Sequence, residues 1–364
     1  MGQVHNTKNE KRTKAFIASL QWLSLLELQS SVTSYAFLSL FQLLILHGDW
    51  DLREDTKALQ LLQPDLVLFT GDFGEENVEL VRSIAELKFA KLAILGNHDA
   101  WFTPCFSQEK KDGVQLQLEC LGKDHIAYRR VDFPEQKLSI VGGRPFSHGG
   151  RLFRRQLLSA RYGVKDMETS AKRIYEAAIG APEDHLVIIL AHNGPSGLGS
   201  CANDICGKDW VFGGGDNGDE DLAQAISSLK ENGKFHVPPL VVFGHMHKEL
   251  AYGGGHRKMI VVAADNTIYL NGAIVPRVHS NFDEESEGRT TFTSSETSSS
   301  QPVPRRSKRA FTVIDVSDGR VDKITERILG FTQTQKRGKK KKKEKKEEQS
   351  VKFKVHYDCG GSKS

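Results

Sequence analysis

The chain has 364 residues, of which 38% are hydrophobic and 26% are charged. This composition excludes a wholly disordered chain and a fibrous repeat, and the length allows one large α/β domain or two of ordinary size. The formal net charge is +4, yet the lysine-rich run at 336–348 alone carries +6, which leaves about −2 for the remainder. The body of the chain therefore lacks the basic surface that general nucleic-acid binding requires.

The first 42 residues form an atypical N-terminal segment. Residues 1–14 are basic, and the apolar stretch at 15–26 that follows loosely resembles a targeting segment. A second apolar run at 35–46 is shorter than the ~20 residues that a membrane-spanning helix needs, and polar residues within 27–31 separate it from the first. We therefore predict no membrane span.

Beyond this segment, short apolar runs alternate with helical patterns, which is typical of an α/β domain. We expect this domain over 43–330, with a disordered insertion at 280–309 that is rich in Ser, Thr, Glu and Pro, and a basic low-complexity tail at 335–364. Strands are predicted at 65–70, 91–95, 137–142, 185–191, 240–243, 258–263 and 311–316, and helices at 75–88, 167–179 and 219–232.

Four short polar motifs come directly after predicted strands. They are Gly71-Asp72, Gly96-Asn97-His98-Asp99, Ala191-His192-Asn193 and Gly244-His245-Met246-His247. Taken singly, each is as easily an ordinary turn or a satisfied polar residue. Loops at the carboxyl ends of α/β strands build active sites, however, so these side chains are candidates for one shared site. Their mixture of carboxylate, amide and imidazole donors suits Mn, Fe or Zn better than Ca or Mg.

Local geometry favours the same interpretation. In His245-x-His247, an extended backbone would point both imidazoles to the same side. The glycines before Asp72, Asn97 and His245 would let the backbone turn sharply and approach an ion or a phosphate closely.

These motifs resemble those of the calcineurin-like metallophosphoesterases, which occur in the order D-x-H, G-D, G-N-H-D/E, H and G-H-x-H. The last four match residue by residue, and the resemblance extends from His47 to His247. It implies a four-layer α/β/β/α sandwich with two mixed β-sheets and two divalent or trivalent metal ions, Mn, Fe or Zn, at the sheet edge.

The resemblance also assigns roles to individual residues. Asp72 would bridge the two metals. The other ligands would be His47 and His247 at the first metal, and Asn97, His192 and His245 at the second. As catalytic residues, His98 would contact the scissile phosphate or protonate the leaving group, and Asp99 would orient His98.

The implied reaction is hydrolysis of a phosphomonoester or phosphodiester by a metal-activated hydroxide. Two cations that share an anionic ligand can lower the pKa of a bridging water and neutralise phosphoryl oxygens in the transition state. A nearby imidazole can then donate a proton to the leaving oxygen.

One position departs from the family pattern. The first motif requires an Asp two residues before His47, and Ile45 stands there. Isoleucine cannot ligate a metal, so the first site should bind its ion more weakly. The mismatch begins abruptly upstream of His47, as a genuine divergence, an alternative first exon or a mistaken gene model would each produce. Asp49 could compensate in part, although Asp49 and Asp51 are better interpreted as the start of a helix over 52–62.

Two alternatives to catalysis remain open. The chain could be an impaired phosphoesterase that binds a ligand or partner, which Ile45 favours. The lysine-rich tail could instead bind polyanions weakly. Among the weaker candidates, Arg144, His148 and Arg151 lie in or beside Gly-rich turns that could place them near a substrate phosphate.

The compartment is predicted only broadly. Five cysteines, an odd number scattered along the chain, do not form the pattern of a disulfide framework and indicate a reducing environment. The sequence resembles plant and cyanobacterial phosphoesterases most, so the chloroplast and the cytoplasm are both retained as expectations.

Overall fold

The computed structural model of the protein describes residues 41–107, 109–237, 239–280, 305–333 and 348–353. The expectations for residues 1–40, for the middle of the insertion and for most of the basic tail lie outside these ranges. Within them, no helix combines the length and the apolarity needed to cross a bilayer.

Two mixed β-sheets make up the centre of the fold. In the described ranges the first sheet has the strand order β13-β12-β11-β1-β2-β3, with β10 paired to β11, and the second has the order β4-β5-β6-β7-β9-β8. The strands of the first sheet are β1 Phe41–Leu46, β2 Leu66–Phe69, β3 Lys91–Ala93, β10 Val278–Ser280, β11 Arg305–Ser317, β12 Arg320–Gln333 and β13 Glu348–Phe353. Those of the second are β4 Arg130–Phe133, β5 Leu138–Gly142, β6 Leu186–Leu190, β7 Leu240–Phe243, β8 Ile260–Val262 and β9 Ile268–Asn271.

Helices cover the outer faces of both sheets. They are α1 Leu52–Leu62, α2 Val78–Ala85, α3 Gly113–Leu121, α4 Arg155–Tyr162, α5 Met167–Ile179 and α6 Glu220–Glu231. The strands and helices predicted from the sequence all occur, with β11 starting six residues earlier than predicted, whereas β1, β4, β9, β10, β12, β13, α3 and α4 were not predicted. The architecture is the α/β sandwich with two mixed sheets that the resemblance implied.

Strand β1 shows how the layers divide the core. Leu43 and Ile45 pack between the sheets, against apolar side chains of β2, β6 and β9. Leu44 and Leu46 point the other way, into the cluster that includes Ala58 of α1. Successive side chains of a strand face opposite sides, so a strand buried on both faces is apolar throughout.

Helix α1 begins where the sequence predicted. The Asp51 side chain accepts a hydrogen bond from the backbone N–H of Glu54 at 2.7 Å, which makes Asp51 the N-cap. The Asp49 side chain accepts from the backbone N–H of Arg277 at 3.3 Å. Asp51 therefore has the structural role that was predicted for it.

The predicted insertion and tail need correction at their ends. Residues 305–309 and Ser280 were expected to be disordered, but they belong to β11 and β10, which pair with each other. The polar start of β11 was not predicted as a strand because its pairing with β10 and the ion pairs of Arg309 with α1 depend on tertiary contacts. Glu348–Phe353 of the predicted tail likewise pairs with β12.

A buried ionic network holds α1 to these strands. Asp55, which is fully buried, lies 2.7 Å from Nη1 of Arg277 and 2.9 Å from Nη1 of Arg309. Arg309 also pairs with Glu54 through Nε at 2.9 Å. The network fixes the first turn of α1 against β10 and β11, next to the start of the functional site.

Candidate metal centre

The candidate site residues converge at one edge of the two sheets. His47 follows β1, Asp72 follows β2, and Asn97 and His98 follow β3 in the first sheet. In the second sheet, His192 follows β6, and His245 and His247 follow β7. Since β1, β2 and β3 are mutually parallel, as are β6 and β7, their carboxyl ends bring these loops together.

Asp72 occupies the middle of this cluster. Its Oδ2 lies 3.8 Å from Nε2 of His47, and its Oδ1 lies 3.5 Å from Nε2 of His192. Its backbone has φ 61°, a left-handed conformation that costs free energy for a residue with a side chain. Each carboxylate oxygen thus faces a different histidine, which suits a ligand shared by two cations.

Thr70, which the motif analysis missed, orients both histidines. Its hydroxyl donates to the Leu46 carbonyl at 3.2 Å and so accepts from Nδ1 of His47 at 3.0 Å. Its backbone carbonyl accepts from Nδ1 of His192 at 2.6 Å. Both imidazoles therefore carry their proton on Nδ1 and present the Nε2 lone pair towards Asp72. Such outer hydrogen bonds are typical of metal-ligating histidines.

Two further observations fit a cation. The Nε2 atom of His47 is buried and has no hydrogen-bond partner in the described structure. The Nε2 lone pair of His192 lies 2.9 Å from Oδ1 of Asn97, and both atoms are acceptors. Two acceptors held at this distance repel each other unless a cation is ligated by both. The donor set therefore fits the metal ions that the resemblance implied.

His245 completes the second group of donors. Ligand atoms of Asp72, His192 and His245 all lie within 4.8 Å of one another. His247 is placed on the other side, with its ring centroid 6.1 Å from that of His47. Sequence reasoning also missed Asn217, whose Nδ2 lies 3.4 Å from Nε2 of His245, because the surrounding Gly-Asp-Asn-Gly run is an ordinary turn pattern.

Two glycines provide the space for these donors. A Cβ atom on Gly96 would lie 2.2 Å from Oδ1 of Asp72, and one on Gly244 would lie 2.3 Å from Nδ1 of His47. The side chains of Asp72 and His47 could not make room for such a Cβ atom without leaving the site. The close approach expected from the glycines in the motifs is present at both positions.

Burial sets the protonation of the cluster. It lowers the pKa of His192 and His245 to about 3 and holds the pKa of His47 well below its ordinary value. These imidazoles are therefore neutral near pH 7, as metal ligation requires. Burial also raises the pKa of Asp72, against the opposing effect of nearby histidines, and a bound cation would favour the ionised carboxylate.

His98 lies at the mouth of the site. Its ring stacks on Trp101 with a centroid distance of 4.7 Å and an interplanar angle of 11°. Its backbone N–H donates to Oδ1 of Asp72 at 3.0 Å. The imidazole is only partly buried, so it is accessible to a molecule that approaches the donor cluster.

The orienting role expected of Asp99 is not what the structure shows. Its carboxylate accepts the backbone N–H groups of Gly96 at 2.7 Å, Asp72 at 2.8 Å and Phe73 at 2.8 Å. The side chain is fully buried beneath the two loops and contacts their backbones instead of the His98 ring. Asp99 is adjacent to His98 in the sequence, which suggested His98 as its partner. The backbone N–H groups that Asp99 binds come from two loops that only the fold brings together.

The substrate contact expected of Arg144 is also corrected, because its guanidinium is buried and paired with two carboxylates. Its Nη2 lies 2.8 Å from Asp219 and its Nε lies 2.9 Å from Asp221, and the residue is 2% exposed. Asp219 in turn accepts from Asn193, the neighbour of His192, at 3.2 Å. Arg144 therefore supports the loop of His192 from behind.

The apolar substitution at Ile45 has a clear structural setting. Ile45 is 1% exposed and packs in the core between the sheets. A Cβ atom on Gly272, in the loop after β9, would lie only 2.4 Å from Cγ2 of Ile45. The side chain thus fills the space at the end of β1 where the family pattern has a carboxylate.

Comparison with known proteins identifies the family. The profile of the calcineurin-like phosphoesterases matches residues 21–249, and the chain belongs to this family. A comparison with curated proteins finds no significant match. Among solved structures, the chain is similar to a crystal structure of a phosphatase from Mycoplasma pneumoniae, with 13% identity and a TM-score of 0.36 over 80% of this chain and 93% of that one.

Proposed function

We propose that this protein hydrolyses a phosphomonoester or a phosphodiester at a site for two metal ions. One observation carries the proposal: the Asp72 carboxylate lies between Nε2 of His47 and Nε2 of His192, and Thr70 fixes the lone pairs of both. Imidazole and carboxylate donors so arranged are typical ligands of Mn, Fe or Zn.

The donors divide into two sets around Asp72. His47 and His247 would hold one cation, and Asn97, His192 and His245 would hold the other, with Asp72 shared between them. When bound, the two ions would supply an activated water and would neutralise the phosphoryl oxygens.

The chain itself contributes positioning and proton transfer. Asp99 fixes the backbone of Asp72 and of the Gly96 turn through its three accepted hydrogen bonds. Trp101 holds the His98 ring by stacking. The imidazole nitrogens of His98 can then reach a substrate oxygen at the mouth of the site. An imidazole placed there can donate a proton to the leaving oxygen, which contributes ~10²–10⁴-fold to such reactions.

Ile45 favours a second candidate, a family member with impaired turnover that binds a ligand or partner. The buried apolar side chain takes the place of one anionic ligand of the first metal. Fewer anionic ligands lower the affinity of that position for its ion.

The test is Mn-dependent hydrolysis of p-nitrophenyl phosphate and bis(p-nitrophenyl) phosphate by the purified full chain, alongside Asp72→Asn and Ile45→Asp. Activity that Asp72→Asn abolishes would support the enzyme. Activity only in Ile45→Asp would support the impaired member. If the wild-type chain and Ile45→Asp are both folded and metal-loaded but inactive, the proposed hydrolysis is contradicted.

A further inference from the structure

Arg154 is a cation without an anionic partner beside the metal centre. It directly precedes α4 and is partly buried, and in the described part of the chain no carboxylate lies within ion-pair distance of it. Two neighbouring arginines differ, because Arg144 pairs with Asp219 and Asp221, and Arg151 lies 3.4 Å from Glu220. A partly buried guanidinium without a counter-ion is costly unless it serves a ligand.

The guanidinium of Arg154 is held in place by His148. Its Nε and Nη2 donate to Nε2 of His148 at 3.0 and 2.8 Å. Burial and the adjacent arginine lower the pKa of His148 to about 4, so the imidazole stays neutral and accepts these bonds near pH 7. Nη1 of Arg154 donates to no described protein atom and remains available.

The pair lies against the site. The backbone carbonyl of His148 accepts from Nδ2 of Asn217 at 3.3 Å, and the same nitrogen lies 3.4 Å from Nε2 of His245. The charges of Asp72 and His98 influence the pKa of His148. The charge of Glu76, in the loop that follows Asp72, influences the pKa of Arg154. The guanidinium is therefore held by His148, whose backbone is linked to the donor cluster through Asn217.

The positive charge of Arg154 favours a phosphomonoester over a phosphodiester. A phosphomonoester carries about −1.5 to −2 charges near pH 7 and three non-bridging oxygens. A phosphodiester has one negative charge and one oxygen fewer to offer, so a third cationic contact gains less from it. Arginine is suited to this contact because its planar fork matches phosphate oxygens.

We propose that Arg154 binds a non-bridging phosphate oxygen of the substrate, held by His148, and that the substrate is therefore a phosphomonoester. This inference rests on the proposed function.

The test compares Arg154→Gln with Arg151→Gln in the Mn-loaded full chain. Arg151 is a matched control because it lies in the same loop and carries the same charge, but its side chain is 93% exposed and outside the donor cluster. Arg154→Gln should lower kcat/KM for p-nitrophenyl phosphate by ~10–100-fold and that for bis(p-nitrophenyl) phosphate by less than ~3-fold. Arg154→Lys, which keeps the charge without the fork, should fall between, and Arg151→Gln should match wild type.

A second measurement separates this inference from the proposed function. Calorimetric binding of inorganic phosphate to the Mn-loaded protein reports on Arg154 even if wild type hydrolyses neither ester. Arg154→Gln should weaken phosphate binding by ~10–100-fold with unchanged Mn content and melting temperature. An equal loss for both esters, an equal effect of Arg151→Gln, or unchanged phosphate binding would each overturn the inference. If wild type binds Mn but no phosphate, the inference also fails.

Discussion

Asp99 lies directly beneath Asp72 and accepts its backbone N–H at 2.8 Å. The same carboxylate binds the backbones of Gly96 and Phe73, so one buried side chain positions the loops after β2 and β3. The candidate metal-binding loops after β2 and β3 are thus joined by a residue that would itself ligate nothing.

We expect Asp99→Asn to weaken the centre without altering proton transfer. An amide has only one acceptor oxygen, so at least one of the three backbone N–H groups loses its acceptor. The free energy of unfolding should fall by about 2–4 kcal/mol, and Mn affinity should fall with it. Thermal melts and Mn titrations measure both. A shifted pH–rate profile with unchanged Mn affinity would instead restore the orienting role, and His98→Gln provides the comparison for that profile.

Thr70→Val should affect the two metals unequally. The substitution removes the hydroxyl that orients His47 and keeps the backbone carbonyl that orients His192. Loss of an outer hydrogen bond of this kind lowers metal affinity ~10–100-fold, so the first ion should be lost and the second retained. Metal content after dialysis, measured by mass spectrometry, checks this.

A suitable control for Thr70→Val is Thr325→Val. Thr325 is buried and donates to the Val313 carbonyl at 3.5 Å, in β12 and away from the metal donors. It should leave the metal content unchanged. Equal loss of both ions in Thr70→Val would show that Thr70 does not act separately on the two histidines.

Ile45→Asp should reverse its effect on stability when metal is added. A carboxylate in the apolar core between the sheets is costly, and the metal-free variant should lose about 3 kcal/mol or more. If the new carboxylate reaches the first ion, Mn should raise the melting temperature of the variant more than that of wild type. Leu43→Asp is the control, because Leu43 lies on the same face of β1, further from the site, and should gain no such rescue. Equal rescue of both variants would rule out ligation by position 45.

His125 should make the metal-free protein sensitive to acid. Burial, with Arg129 and Arg161 nearby, lowers its pKa from 6.5 to about 3, so the folded state favours the neutral ring. Below pH 6.5 the unfolded chain therefore binds more protons at His125 than the folded protein does. The stability that neutral His125 contributes is complete above pH 6.5 and is lost as the pH falls towards 3. The ring nitrogen Nε2 accepts from the backbone N–H of Leu95 at 3.2 Å, just before the Gly96 turn.

We expect His125→Gln to reduce this dependence, because glutamine can still accept from Leu95 but does not titrate. The free energy of unfolding, measured between about pH 4 and 6 in urea, should change less steeply in the variant, by up to ~1.4 kcal/mol per pH unit. Parallel curves for wild type and variant would mean that His125 is not protonated in this range.

The sequence predicted the parts of this protein that depend on local patterns. The apolar runs of β2, β6 and β7 and the polar motifs after them are visible in the sequence alone. The capping role of Asp51 follows from its position just before the helical pattern at 52–62. Partners set by tertiary contacts were not predictable. Asp99 binds backbone N–H groups from two loops, Arg144 is neutralised by Asp219 and Asp221, and the polar start of β11 is a strand because β10 and β12 pair with it.

The buried network of Asp55, Arg277 and Arg309 has a consequence for engineering. Val278 pairs with Arg309 and Ser280 with Ser307, so the paired residues on either side of 281–304 lie about 5 Å apart, the spacing of neighbouring strands. The strands that flank this segment are already joined by the sheet, and the ion pairs of Arg277 and Arg309 anchor them to α1. The chain could therefore be opened between 281 and 304, with new termini there for circular permutation or for the insertion of a reporter domain, while the metal-binding loops keep their positions.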